Sequence, residues 1–178
     1  MSDSQITKKA LAESIKKLME ERPMKKINIS DIVEGCNMNR QSFYYHFKDK
    51  YDLVNWIYYT EFIVTIKDLS MPSWEILEKI CEFFYKNKTF YKNAFQVTGQ
   101  NSFSEYFIEV LHPILTVHLN DVFKNNKNVD FYATFYADAI RVSISRWLME
   151  GAQIPPEKFV ELLKNAVEGV AISLFENG

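Results

Sequence analysis

The stretch Ser30–Lys50, SDIVEGCNMNRQSFYYHFKDK, limits what this chain can fold into more than any other. It reads as two short helices joined by a tight turn. Ser30 can cap the first helix, and Asp31 sits where a helix N-terminus favours negative charge. Ile32 and Val33 face inward. Gly35 closes this helix, because glycine tolerates the left-handed backbone common at helix ends. Asn37 and Asn39 belong to the turn, with Met38 as the buried residue of the corner. Asn39 can cap the second helix, which runs from Arg40 to about His46. Phe43 and Phe47 are spaced i, i+4 and form its apolar seam. Arg40, Gln41, Ser42, Tyr44, Tyr45 and His46 cover the rest. An apolar seam backed by arginine, amide, hydroxyl and imidazole groups is what a major-groove recognition helix needs, since its N-terminal residues must bond base edges while others grip phosphates. Lys48 and Lys50 follow, and Asp49 or Lys50 opens another helix. A lysine there can meet a phosphate that the helix dipole also attracts.

The rest of the chain fits an all-α protein of about nine helices. It has 178 residues, enough for a sizeable core, with 47% hydrophobic and 15% aromatic residues. Five glycines and five prolines favour long helices over a turn-rich β fold. No apolar run reaches the roughly 18 residues of a membrane span, and MSDSQITKK has no signal-peptide core. The two cysteines, Cys36 and Cys81, have neither metal-type nor redox-type spacing, and suit buried thiols in a reducing cytoplasm. Net charge is −2, unevenly spread: residues 1–50 carry ten basic and seven acidic side chains, the remainder eleven and sixteen. A basic N-terminal part on an acidic body fits a head that binds a polyanion.

Asp3 or Ser4 can start a first helix reaching Glu21, with Leu11, Ile15, Leu18 and Met19 on its apolar stripe. Its lysines, Lys8 among them, suit either a solvated face or phosphate contact. Pro23 closes it, and Met24–Ile29 is a short connector. Lys50 to about Lys67 reads as one long helix, and Asp68–Ser73 as the break between domains. This places a helix-turn-helix domain at 1–50, a linking helix at 50–67 and a helical domain at 73–178. Pro113 inside the helix Ser102 to Lys124 removes a backbone donor, so a kink is expected there. Lys124–Asp130 is the clearest loop. The last two helices span about Val129 to Glu150 and Pro155 to Phe175. Small residues scattered through both, Ala137 and Ala139 to Ala171 and Ser173, suit close packing within the chain or between two copies.

The pattern Tyr44-x-His46-Phe47-x-x-Lys50-x-x-Leu53, preceded by Met38-Asn39-Arg40 and Ser42-Phe43, resembles the DNA-binding domain of the TetR family of bacterial regulators. The resemblance covers about Thr7 to Ile57. It implies an N-terminal three-helix helix-turn-helix domain joined to a C-terminal helical dimerisation and effector domain. It also implies a cytoplasmic homodimer, paired through the last two helices, on a palindromic double-stranded DNA operator. Phe90–Phe103, then EYF, and Trp147-x-x-x-Gly151 before Pro-Pro-Glu look like short-bodied members that include the activator of dihydroxyacetone kinase operons. The expected function is a sequence-specific regulator, a repressor released by an effector. The alternative is an activator controlled by a protein partner.

On this basis Arg40, Gln41 and Ser42 are expected at base edges. Tyr44, Tyr45 and His46 are expected at phosphate, sugar or an adjacent base, and Ser30 and Lys50 at phosphates. The aromatic middle of the body can be core or can line a pocket for a flat effector, with Phe84, Tyr91, Phe95, Gln100, Asn101 and Tyr106 as the candidate lining. Catalysis has little support. His112 and His118 are six apart and share no metal-binding helix face, and neither a phosphate-cradling glycine loop nor a nucleophile elbow is present. No metal site, cofactor or membrane partner is expected.

Overall fold

The structure is a computed structural model. It describes residues 3–66, 72–123 and 127–176, and its described side chains exclude 73, 121–123 and 168–176. Nine α-helices occur among the described residues, and no strand. They are α1 Asp3–Glu21, α2 Ile29–Glu34, α3 Arg40–His46, α4 Lys50–Glu61, α5 Ser73–Lys86, α6 Lys88–Phe95, α7 Phe103–Phe123, α8 Val129–Met149 and α9 Pro156–Glu176. The chain forms two compact units. One holds residues 1–67 and 89–107, the other 68–88 and 108–178. The expected break at Asp68–Ser73 and the start of the loop at Lys124 lie largely outside the described residues, as do the side chains of Ala171 and Ser173.

In the first unit α1 packs on α2, α3 and α4, and α2 packs on α3. Leu11, Ile15 and Met19 of α1 meet a core completed by Ile32, Phe43 and Leu53, all fully buried. Lys16 of α1 is paired with Glu61 at the end of α4. The N-cap of α2 is Asn28 rather than Ser30. Asn28 Oδ1 accepts the Asp31 amide at 3.0 Å, and Asp31 Oδ2 accepts the Asn28 amide at 2.9 Å. This reciprocal pair satisfies two otherwise orphaned donors and places Ser30 inside the first turn. The acidic partner of the box, three residues on, was the signal in the sequence.

Gly35 also plays a different part from the one expected. Its φ is −62°, an ordinary helical value, and the left-handed residue of the turn is Asn37 at φ 55°. What Gly35 supplies is room. A Cβ there would stand 2.3 Å from Ser14 Oγ, which is buried and donates to Ile32 O at 2.7 Å. Gly35→Ala should therefore cost about 1–3 kcal/mol by forcing this hydroxyl aside. Ser14→Ala in the same chain should return much of the loss, with a coupling of about 0.5–3 kcal/mol in a denaturation cycle. Simple additivity would refute the close-approach explanation.

Helix α4 stops at Glu61, short of the expected Lys67. Phe62 leaves helical geometry and Ile63–Thr65 forms a 3-10 turn. The run Ile63-Val64-Thr65-Ile66 is β-branched throughout, which stiffens χ1 and weakens the helix. Tyr58 of α4 then receives α6 and the first turn of α7. Its ring lies 5.3 Å from Phe103, 6.0 Å from Tyr91 and 6.1 Å from Phe107. Asn93 Nδ2 donates to Met19 O at 2.6 Å, joining α6 to the end of α1.

In the second unit α5 packs on α8 and α9. Helix α7 continues through Pro113. Trp147 of α8 stacks on Phe159 of α9 at 4.7 Å and 7°, and its Nε1 donates to Ile154 O at 2.8 Å. Helix α8 ends in a left-handed Gly151 at φ 86°, and the Ala152 amide bonds back to Trp147 O at 2.8 Å. That 6→1 closure favours glycine at the position.

Candidate nucleic-acid interface

Helix α3 is short, and its geometry follows from its two ends. Asn39 Oδ1 accepts the Ser42 amide at 2.8 Å and the Ser42 hydroxyl at 3.1 Å. This cap fixes the first turn, where Arg40 and Gln41 are exposed. At the other end Phe47 leaves the helix in an extended conformation, with its amide on Phe43 O. Phe43 and Phe47 are buried and pull one side of the helix into the core.

At about 100° per residue, Arg40, Gln41, Tyr44 and Tyr45 share one exposed arc of about 140° that begins beside the Phe43–Phe47 seam. Tyr44 is 51% exposed and Tyr45 82% exposed, unusual values for rings that a core could have taken. Arg40 Nη2 reaches Tyr44 Oη at 3.5 Å, and the Tyr45 and His46 rings meet edge to face at 4.9 Å. Ser42 and His46 flank the arc and are half-buried. The surface therefore presents one guanidinium, one amide, two phenols and an imidazole. These groups donate to phosphate and base acceptors and can lie flat on sugar. Ser30 is half-buried in the first turn of α2.

Lys50 is turned inward. Its Nζ donates to Met24 O at 2.9 Å and Ile27 O at 2.6 Å. Burial lowers its pKa, partly offset by the Asp31 and Asp49 carboxylates nearby. Asp49 caps α4, accepting from the Tyr51 and Asp52 amides at 2.8 and 2.9 Å. Lys8 of α1 lies 5.5 Å from the Phe47 ring centre and 5.7 Å from that of Trp56. This cation–π seat holds an ammonium beside the end of α3. Periodicity alone does not reveal it, because it joins residues far apart in the chain.

Five of the candidate effector residues, Tyr91, Phe95, Gln100, Asn101 and Tyr106, belong to the first unit, and Phe84 to the second. Tyr91 and Phe95 are buried, with ring contacts to Phe103 at 5.1 and 5.0 Å. Phe84 is buried in the second unit. Gln100 and Asn101 are exposed in the turn before α7, where Asn101 has φ 66°. In the first unit a surface cleft of about 240 Å³ lies between Pro23, Met24 and Lys25 and the α6 side, Asn93, Gln96 and Val97. Among the described residues no group of three histidine, cysteine or acidic side chains could hold a metal ion. No helix there is long and apolar enough to cross a membrane.

Residues 11–57 match the family described as bacterial regulatory proteins, tetR family. Residues 73–169 match the family described as transcriptional regulator C-terminal region. The chain is 30% identical over 110 residues to the HTH-type dhaKLM operon transcriptional activator DhaS of Lactococcus lactis subsp. lactis (strain IL1403). That alignment covers 61% of this chain and 58% of the relative, a little over half of its length. Among solved structures, the dihydroxyacetone kinase operon activator DhaS superposes with TM-score 0.66 at 23% identity, covering 92% of this chain and 95% of that one. NalD, the secondary repressor of the MexAB-OprM multidrug efflux pump in Pseudomonas aeruginosa, superposes with TM-score 0.61 at 16% identity, covering 90% and 94%. At these identities the superpositions speak for a shared fold.

Proposed function

The chain belongs to the TetR family of transcriptional regulators, which bind DNA through a helix-turn-helix, and from that premise we propose how it does so. Two copies read a palindromic operator, each laying α3 in the major groove. Arg40, Gln41 and Ser42 meet base edges, and Tyr44, Tyr45 and His46 meet phosphate and sugar. Ser30 and the first turn of α2 meet a phosphate. The observation that carries this reading is the outward arc of α3, rich in donors and aromatic rings yet left exposed. Such a module touches only a few base pairs, so a twofold pair with fixed spacing supplies the missing specificity.

The pairing surface we assign to α8 and α9. Phe131, Phe135 and Val142 of α8 fall within about 40° of one another around the helix. Phe131 and Phe135 are 68% and 58% exposed, and Leu162 of α9 is also exposed. Burying such a stripe against a second copy removes apolar area from water. Activation is the preferred sign of regulation, because the relative at 30% identity is named an activator. Repression released by an effector is the second reading. Cytoplasmic placement follows from the DNA target.

The test is binding of the purified protein to the DNA upstream of its own coding region and to a dhaKLM-type promoter, against scrambled DNA across a salt series. Preference for one palindrome, with two protein copies per duplex by sedimentation, is the expected result. Weak binding without preference would remove the reading. Gln41→Ala should lower discrimination between operator variants by about 1–3 kcal/mol. Arg40→Ala should weaken specific binding by a similar amount. A transcript that falls when the gene is deleted marks an activator, and one that rises marks a repressor.

A further inference from the structure

The connector between α1 and α2 faces the end of α6 across open space. Pro23 turns the backbone out of α1 with φ −58° and ψ 140°, and Met24–Lys26 follows as a 3-10 turn. Two bonds close that turn, from the Lys26 amide to Pro23 O at 2.9 Å and from the Ile27 amide to Met24 O at 3.1 Å. On the other side the last turn of α6 is prolonged, because the Gln96 amide still bonds to Lys92 O at 3.3 Å. Asn93, Gln96 and Val97, spaced i, i+3 and i+4, therefore share one face. Asn93 holds the two sides together, since its Nδ2 donates to Met19 O near the end of α1 at 2.6 Å.

The space left is the cleft of about 240 Å³, wholly within the first unit. Buried Met24 and Val97, with Pro23, give it apolar walls, and the exposed Lys25 gives it a cation. The basic surplus of the first fifty residues, ten against seven, favours an anion here over a cation. The volume falls short of the roughly 300–1,000 Å³ of sites for drug-sized ligands, so it suits a compact body with one charged end.

We propose that this cleft is a binding site for a small organic monocarboxylate, its apolar body against Pro23, Met24 and Val97 and its carboxylate on Lys25. Bound there, the molecule acts as a co-effector by tying α6 to the entry of the helix-turn-helix; this second part rests on the DNA-binding reading given above. The connector ends at Ile27, directly before the Asn28 cap of α2, and α2 packs on α3. An occupant that braces the connector against α6 orders the segment that seats α3. Part of the ordering that the operator requires is then already done, so the two ligands bind with positive cooperativity.

Benzoate is the first probe, titrated into the full chain and followed by amide and methyl NMR. A ligand of its size should saturate at about millimolar concentration. Shifts should centre on Met24, Lys25, Asn93 and Val97. Benzyl alcohol, which keeps the ring without the charge, should bind roughly fivefold more weakly, and Lys25→Met should weaken benzoate to a similar degree. Gln96 is exposed at the cleft, so Gln96→Trp should leave the fold intact and abolish the shifts by filling the space. No saturable shift at these residues would overturn the proposal. So would inorganic phosphate binding as tightly as benzoate, which would reveal only the charge of an exposed lysine.

At constant ionic strength, saturating benzoate should tighten wild-type binding to the preferred upstream DNA about fivefold or more, and DNA should tighten benzoate by the same factor. Gln96→Trp should show no such response. Unchanged or weaker DNA binding by the benzoate-bound wild type would overturn the co-effector role. Selective DNA binding without benzoate shifts removes the site and leaves the functional reading in place. Benzoate shifts without selective DNA binding remove that reading and leave the site.

Discussion

Replacing Tyr58 with alanine is expected to destabilise the first unit by about 3–5 kcal/mol. The side chain is fully buried on α4 and contacts rings from three further segments. Phe62 stacks at 5.3 Å, Tyr91 of α6 stands at 6.0 Å, and Phe103 of α7 stands at 5.3 Å. Aromatic pairs of this kind add about 0.5–1.5 kcal/mol beyond area burial. Alanine leaves a ring-sized void whose walls belong to separate helices, so collapse can recover only part of the loss. The loss should also be local. Residues 89–107 should lose amide protection first, because their seat on α4 is this ring. The helices α2 and α3, whose core is Leu11, Ile32 and Phe43, should hold longer. Tyr59→Ala is the control: Tyr59 is exposed, and its removal should move stability by less than about 0.5 kcal/mol. Equal losses in a urea titration would show that the ring cluster does not fasten α6 and α7 to α4.

Trp147→Ala should destabilise the second unit by a comparable amount, about 3–5 kcal/mol. Trp147 is the meeting point of three helices. It stacks on Phe159 of α9 at 4.7 Å and on Tyr85 of α5 at 6.1 Å, and it donates to Ile154 O in the turn between α8 and α9. The hydrogen bond and the stacking can be separated. Trp147→Phe keeps an aromatic ring in the stack and gives up the donor, so it should cost much less, nearer the 0.5–1.5 kcal/mol net of roughly one hydrogen bond plus some packing. If phenylalanine proved as damaging as alanine, the donor rather than the ring area would be what holds the turn. Because α8 and α9 are the proposed pairing surface, Trp147→Ala should also weaken self-association in sedimentation at a temperature where Trp147→Phe remains paired.

Much of the head is legible locally. The extent of α3, Arg40–His46, follows from Asn39 as a cap and from Phe43 and Phe47 as an inward seam, and the structure places each so. The bounds of α8 and α9 are close to those expected, since Gly151 and the Pro155-Pro156-Glu157 start are strong local signals. Where the reading slipped, a competing local signal was present. Asn28 and Ser30 can both cap α2, and only Asn28 has an acidic residue three positions on. The helix after Lys50 is apolar well past Glu61, yet its β-branched run favours a tighter turn.

By itself, then, the sequence determined most of the helices, the turn between α2 and α3, and the face of α3 left exposed. These depend on caps, glycines and a period of 3.6 residues, all of which act between near neighbours. Only the tertiary structure decided that Lys50 faces two carbonyls 26 and 23 residues earlier, that Gly35 makes room for Ser14, and that residues 89–107 pack with the head. A lysine at a helix start carries the same local signal whether it meets a phosphate or a carbonyl. Which acceptor it finds depends on where distant backbone comes to lie once the core has closed.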